Sequence, residues 1–172
     1  MPNPLEKIAS KSAGKVGAVQ ARAKGLTGVF NKLAEQHKEA AVLLQRAQSA
    51  DDPAKRRDVW QKVRAELLSH EQGELNVIYP EFDKHAATRD IVQQHADEAD
   101  TLETTIREID AAGFESQMWS SQIQQLIHRV QQHVEEEEND WFPRALETLG
   151  KDVADELEAP FMAAKERAME RL

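Results

Sequence analysis

The chain has 172 residues, 40% hydrophobic and 5% aromatic, with a net charge of -9: one domain with room for a core, and an acidic balance that argues against nucleic acid, whose binding rests on Lys and Arg neutralising phosphates. No Cys is present, which excludes disulfides, thiolate sites and iron–sulfur clusters, so any metal must be held by His and carboxylates. No apolar run approaches the roughly 18 residues needed to span a bilayer, and no apolar signal core is seen, so no membrane association and a cytoplasmic location are the expectation.

Residues 1–25 carry Lys7, Lys11, Lys15, Arg22 and Lys24 against Glu6, with a thin apolar stripe of Leu5, Ile8, Val16 and Val19. They read as a basic N-terminal helix or arm packed on an acidic bundle, in preference to a membrane or partner anchor. A first helix from about Gly28 to Ser49 places Phe30, Leu33, Ala34, His37, Ala41 and Leu44 on one face. Asp51-Asp52-Pro53 then supplies a cap and a Pro in the first turn of a second helix. Its stripe is Trp60, Val63, Leu67, His70, Glu74, Val77 and Ile78, disturbed at Pro80. The third helix begins near Thr88, repeats through Val92, His95, Ala99, Leu102, Ile106 and Ile109, and ends at Gly113. A fourth carries Trp119, Ile123, Leu126, Val130, His133, Glu137 and Trp141 and meets Pro143. Gly150 separates a last amphipathic helix over residues 151–172, expected to pack on the bundle. The fold class expected is all-α: an up-down-up-down four-helix bundle over residues 28–146 with an extra N-terminal segment and a C-terminal helix.

Polar residues occupy core positions on these stripes. His37, His70, His95 and His133 fall one per helix where an apolar side chain is due, with Glu74 and Glu137 one turn after His70 and His133. Residues four apart share a helix face, so each His-x3-Glu pair can aim both side chains at one point. A buried carboxylate is unfavourable unless paired or bound to a cation. Counting about 1.5 Å per residue from the helix ends places all four His in one layer. A mixed His and carboxylate set suits Fe, Mn or Zn, and two bridging carboxylates favour a dinuclear redox metal. His85 and His128 lie off the stripes and read as surface residues, while Trp60, Trp119, Trp141 and Leu126 read as core. Tyr79 is given a structural role at the bend of the second helix in preference to a hydrogen bond near the site.

The run His70-x3-Glu74-x3-Ile78-Tyr79-Pro80 recurs 63 residues on as His133-x3-Glu137-x3-Trp141-Phe142-Pro143. With the lone His37 and His95, this resembles the hemerythrin-like, HHE cation-binding family over roughly residues 28–146. The resemblance implies a four-helix bundle holding two carboxylate-bridged non-haem Fe ions. It implies Glu74 and Glu137 as bridges, His37 and His70 on one iron, and His95 and His133 on the other.

Oxygen-carrying hemerythrins place a fifth His one turn after the third-helix His, and Ala99 stands there in this chain. Glu71 looks like the extra carboxylate of the iron-sensing F-box hemerythrin domain and is the expected replacement, ahead of Glu98 and of Glu135–Glu138, which apart from Glu137 reads as a solvated face. The expected function is a di-iron protein that binds, senses or reacts with O2, peroxide or nitric oxide. The alternative is an iron-responsive interaction protein whose fold depends on metal occupancy, and a metal-free helical scaffold ranks third. A monomer or homodimer is expected.

Overall fold

The computed structural model describes residues 24–172, so the arm expected over residues 1–23 lies outside the described residues. Helix α1 is Gly28–Gln48 and α2 is Pro53–Gly73, which runs into a π-helical turn, Glu74–Ile78, and the short α3, Tyr79–Phe82. Helix α4 is Arg89–Ala112 and α5 is Trp119–Glu136, followed by a second π-helical turn, Glu137–Trp141, and α6, Phe142–Leu149. Helix α7, Lys151–Met169, comes last. Among the described residues there is no strand, and no helix is long and apolar enough to cross a membrane.

Local chemistry accounts for several of these boundaries. Asp52 caps α2 by accepting the Lys55 backbone N–H at 2.9 Å, with Pro53 in the first turn, where its missing N–H has no partner to lose. Gly113 closes α4 at φ +74°, a left-handed conformation that a Cβ would strain. Pro80 and Pro143 do not end their helices. A proline ring collides with the carbonyl four residues earlier in a regular α-helix. The chain instead widens by one residue: the Tyr79 N–H bonds to the Glu74 carbonyl and the Phe142 N–H to the Glu137 carbonyl, each a five-residue step. The internal repeat is therefore written in the backbone as well as in the side chains.

Helix α1 packs on α2 and α5, and α4 packs on α5 and α2, which closes a ring of neighbours. Helix α7 lies along α1 and α2. Its approach is close enough to demand glycine: a Cβ at Gly28 would stand 2.4 Å from the Ala154 carbonyl carbon, and one at Gly73 would stand 2.7 Å from the Phe161 ring.

The interior has three layers. One apolar cluster gathers Phe30, Leu33, Ile78, Phe82, Ile91, Trp141, Phe142 and Phe161. A second gathers Leu44, Trp60, Val63, Leu67, Ile106, Trp119, Ile123 and Leu126. Burying each large side chain contributes about 1.5–3 kcal/mol. The buried indoles find acceptors, Trp60 on Asp110 at 2.6 Å and Trp119 on the Ala47 carbonyl at 3.0 Å. Between the clusters in sequence lie His37, His70, Glu74, His95, His133 and Glu137, a polar layer framed by apolar ends. His128 is exposed and His85 half-buried.

Candidate metal centre

His37 comes from the middle of α1 and His95 from the first third of α4, while His70 and His133 come from the last turns of α2 and α5, just before the π turns. Glu74 and Glu137 are each the first residue of a π turn, and each is fully buried. His37, His95 and Glu71 are buried as well, at 6%, 1% and 3% exposure. Single π turns recur at functional sites because the extra residue re-aims the side chains that follow.

The seven side chains expected at the site come together. Ligand atoms of His37, His70 and Glu74 lie within 4.8 Å of one another, as do those of Glu71, Glu74, His95 and His133. Glu74 belongs to both groups. Glu137 spans them from the other side, with Oε2 3.2 Å from His37 Nε2 and Oε1 3.4 Å from His133 Nε2. His95 Nε2 stands 3.1 Å from Glu71 Oε1 and 3.8 Å from Glu74 Oε2, and His70 Nε2 stands 3.5 Å from Glu74 Oε1.

The donor atoms at the centre fit a cation. Nε2 of His37, His70, His95 and His133, Oε1 of Glu71, both oxygens of Glu74 and Oε2 of Glu137 are all buried without a hydrogen-bond partner. Buried polar atoms in native proteins are almost always satisfied, and so many orphans pointing at one place form a set of lone pairs awaiting positive charge. The titration behaviour agrees. Burial pushes the His37 imidazole down, but Glu137 and Glu138 outweigh it and hold it at about 9. Burial pushes Glu71 up to about 7, against the pull of His95. Burial likewise works against the charged form of Glu137, yet His133 and His37 keep its carboxyl well below the usual range. Without a cation, protons held on His37, His95 and His133 offset the neighbouring carboxylates, and a metal competes for the same lone pairs.

A second ring of side chains orients the first. His37 Nδ1 meets Glu138 Oε1 at 3.0 Å, and Glu138 Oε2 accepts from Lys24 at 3.2 Å. His70 Nδ1 meets Gln36 Oε1 at 3.0 Å, and His133 Nδ1 meets Glu98 Oε2 at 2.6 Å. These contacts correct two expectations. Glu138 is not part of a solvated face: it is 6% exposed and engages His37. Tyr79 is more than a bend residue, since its hydroxyl donates to Glu137 Oε1 at 2.9 Å and its ring stacks on His95 with centroids 3.6 Å apart. Gln36 and Lys165 escaped the sequence reading. Gln36 sits beside His37 off the apolar stripe, and Lys165 reaches it from 129 residues away, a separation that no helical periodicity links.

Two cavities adjoin the centre. A pocket of about 30 Å³, the size of one water, is lined by His37, His70, Glu71, His133, Leu102 and Val130 among others. A larger one of about 220 Å³ is bounded by Glu71, Glu98, Ala99, Arg129, His133 and Glu136. Ala99 thus borders open space where a longer side chain would project.

The fold and the site together define an all-helical protein with a buried His and carboxylate cluster of a kind able to hold a metal ion. The model of the Hemerythrin HHE cation binding domain matches residues 29–145, and the chain belongs to that family. No curated protein and no solved structure matches it.

Proposed function

We propose that this protein is a non-haem di-iron protein whose centre is held by His37, His70, Glu74, His95, His133, Glu137 and Glu71. In this reading α1, α2, α4 and α5 form an up-down-up-down bundle around it. The observation that carries the reading is the convergence of buried, partnerless Nε2 and carboxylate oxygen atoms. Glu74, shared by both ligand groups, and Glu137, which faces His37 and His133, are suited to bridge. His37 and His70 serve one metal, and His95, His133 and Glu71 the other. Iron bound there would supply open coordination positions and redox equivalents toward O2, peroxide or nitric oxide.

The chain's own residues set how such a ligand meets the site. Ala99 leaves unfilled the place where a further His would close the second position, and the cavity beside it gives a small molecule room to arrive. The Tyr79 hydroxyl, held on Glu137, keeps one proton at the edge of the centre; burial, with the neighbouring carboxylates, raises it well above an ordinary phenol, so it remains a donor. Val130 and Leu102 line the smaller pocket with His70 and His133 and give it an apolar wall.

The deciding experiment is elemental analysis of chain purified without chelators. About two irons per chain supports the reading, and the oxidant is then found by exposing the reduced protein to O2, peroxide and nitric oxide in turn. Protein that holds no metal and takes up none under anaerobic iron loading overturns it.

A further inference from the structure

Three of the four layer histidines have an outer partner at Nδ1, and the partners differ in kind. Glu138 and Glu98, as carboxylates, can only accept a hydrogen bond. An imidazole bonded to them carries a proton on Nδ1, and its Nε2, which faces the inner carboxylate Glu137 at 3.2 Å from His37 and 3.4 Å from His133, is then the nitrogen a cation takes. His70 faces Gln36, whose amide can present either an accepting oxygen or a donating nitrogen. An amide turned the wrong way would make His70 Nδ1 the acceptor and move the ring proton to Nε2, where it blocks ligation. Something must therefore decide which end of Gln36 faces His70.

Lys165 decides it. An ammonium has three donors and no acceptor, so the Gln36 atom that Lys165 Nζ meets at 2.8 Å must be the oxygen. That same oxygen stands 3.0 Å from His70 Nδ1. The amide nitrogen is turned away toward Met162 Sδ at 3.2 Å. Lys165 is 8% exposed and its remaining charge is taken up by Glu66. Both Lys165 and Met162 belong to α7, outside the stretch matched by the family domain.

We infer that Lys165 of α7 is a positioning residue for the metal centre: by fixing Gln36 as an acceptor it locks His70 in the tautomer that ligates, so that the C-terminal helix is a working part of the site. The inference rests on the metal-centre reading for its consequence, but the tautomer itself is a property of the metal-free chain.

Two measurements test it. The first is the His70 tautomer in the metal-free protein, from 15N shifts of labelled histidine recorded above the ordinary imidazole titration range. Wild type shows the Nδ1–H form; Lys165→Met shows the Nε2–H form or a mixture; and Lys165→Arg, which also only donates, keeps Nδ1–H. The second is the dissociation constant of the tighter metal in an anaerobic Fe2+ titration. Lys165→Met weakens it at least about tenfold, the usual loss when an outer partner of a ligand is removed. In a Gln36→Glu background, where the partner can accept at both oxygens, the same change has about a twofold effect or less. Leu157→Ala, which loosens α7 in the apolar cluster without touching this contact, leaves the tautomer as it is in wild type. A His70 tautomer unchanged in Lys165→Met, or an equal metal loss in both Gln36 backgrounds, overturns the inference. Wild type that binds no Fe2+ overturns the metal reading instead, and the 15N measurement still decides the role of Lys165.

Discussion

The two halves of the polar layer are built from one sequence repeat, yet they differ in what covers them. On the α1 and α2 side, His37 stacks against Phe142 with planes 17° apart, and His70 meets Phe161 edge-on at 5.9 Å. Helix α7 seals this half and adds Gln36's partner Lys165. On the α4 and α5 side no such helix lies among the described residues: His133 keeps a fifth of its side chain exposed, and its partner Glu98 about a third. A cavity of about 220 Å³ opens there beside Ala99. Among the described residues, a duplicated His-x3-Glu motif thus yields a half covered by α7 and a half that α7 does not cover.

The largest expected effect treats both halves at once. Removing metal with a chelator would take away the cation that the buried lone pairs of the layer share, leaving protons as the counter-charge. At a thousandfold excess over the dissociation constant, bound metal contributes about 4 kcal/mol, so apo protein should melt about 10 °C lower. Equal midpoints by calorimetry would show that the layer does not depend on a cation. Next comes Gly28→Ala, which breaks the closed half by lifting α7. Its Cβ would stand 2.4 Å from the Ala154 carbonyl carbon at a backbone φ of +55°, a loss of about 3 kcal/mol. Denaturant melts measure that loss, and the same variant is expected to release iron to a chelator faster.

Two substitutions address the open half alone. Glu71→Ala removes a buried carboxylate from the His95 and His133 group and should weaken that metal by tenfold or more. Titration with Fe2+ would then show one metal retained per chain and a second bound loosely; loss of both together would mean that the halves do not act separately. Ala99→His sharpens the contrast from the other direction by adding a ligand beside the cavity. Binding of the second metal should tighten by about tenfold, while binding of azide, a small exogenous anion, slows in stopped-flow traces. The smallest effect lies away from both halves. The Lys55 backbone N–H, working against slight desolvation, holds the Asp52 carboxyl below its ordinary value of 3.8. A lowered folded-state value means that the cap's contribution is present above pH 3.8 and is lost as the pH falls through the lowered value. Asp52→Asn keeps an accepting oxygen but does not titrate, so its acid melt should lack this component while its metal content stays that of wild type.

Helix spacing was enough to mark the layer, since a His or Glu on an apolar stripe stands out against its neighbours at a period of 3.6. The same spacing carried the family and placed the breaks near Pro53, Gly113 and Gly150. It did not carry the π turns. Pro80 and Pro143 signal only that a regular turn cannot continue, and whether the chain stops or widens depends on what packs beyond it; here Ile78, Tyr79, Trp141 and Phe142 bury into an apolar cluster and keep the helix going.

By itself, then, the sequence determined the helical class, the family and the residues able to offer lone pairs, because each of these is written in local spacing and side-chain chemistry. Tertiary structure alone decided which nitrogen of each histidine faces the centre, that Tyr79 and Glu138 serve it, and that one half is closed by α7 while the other opens on a cavity. Those outcomes depend on contacts between segments as far apart as Gln36 and Lys165, and long-range contact leaves no periodic mark on a single chain.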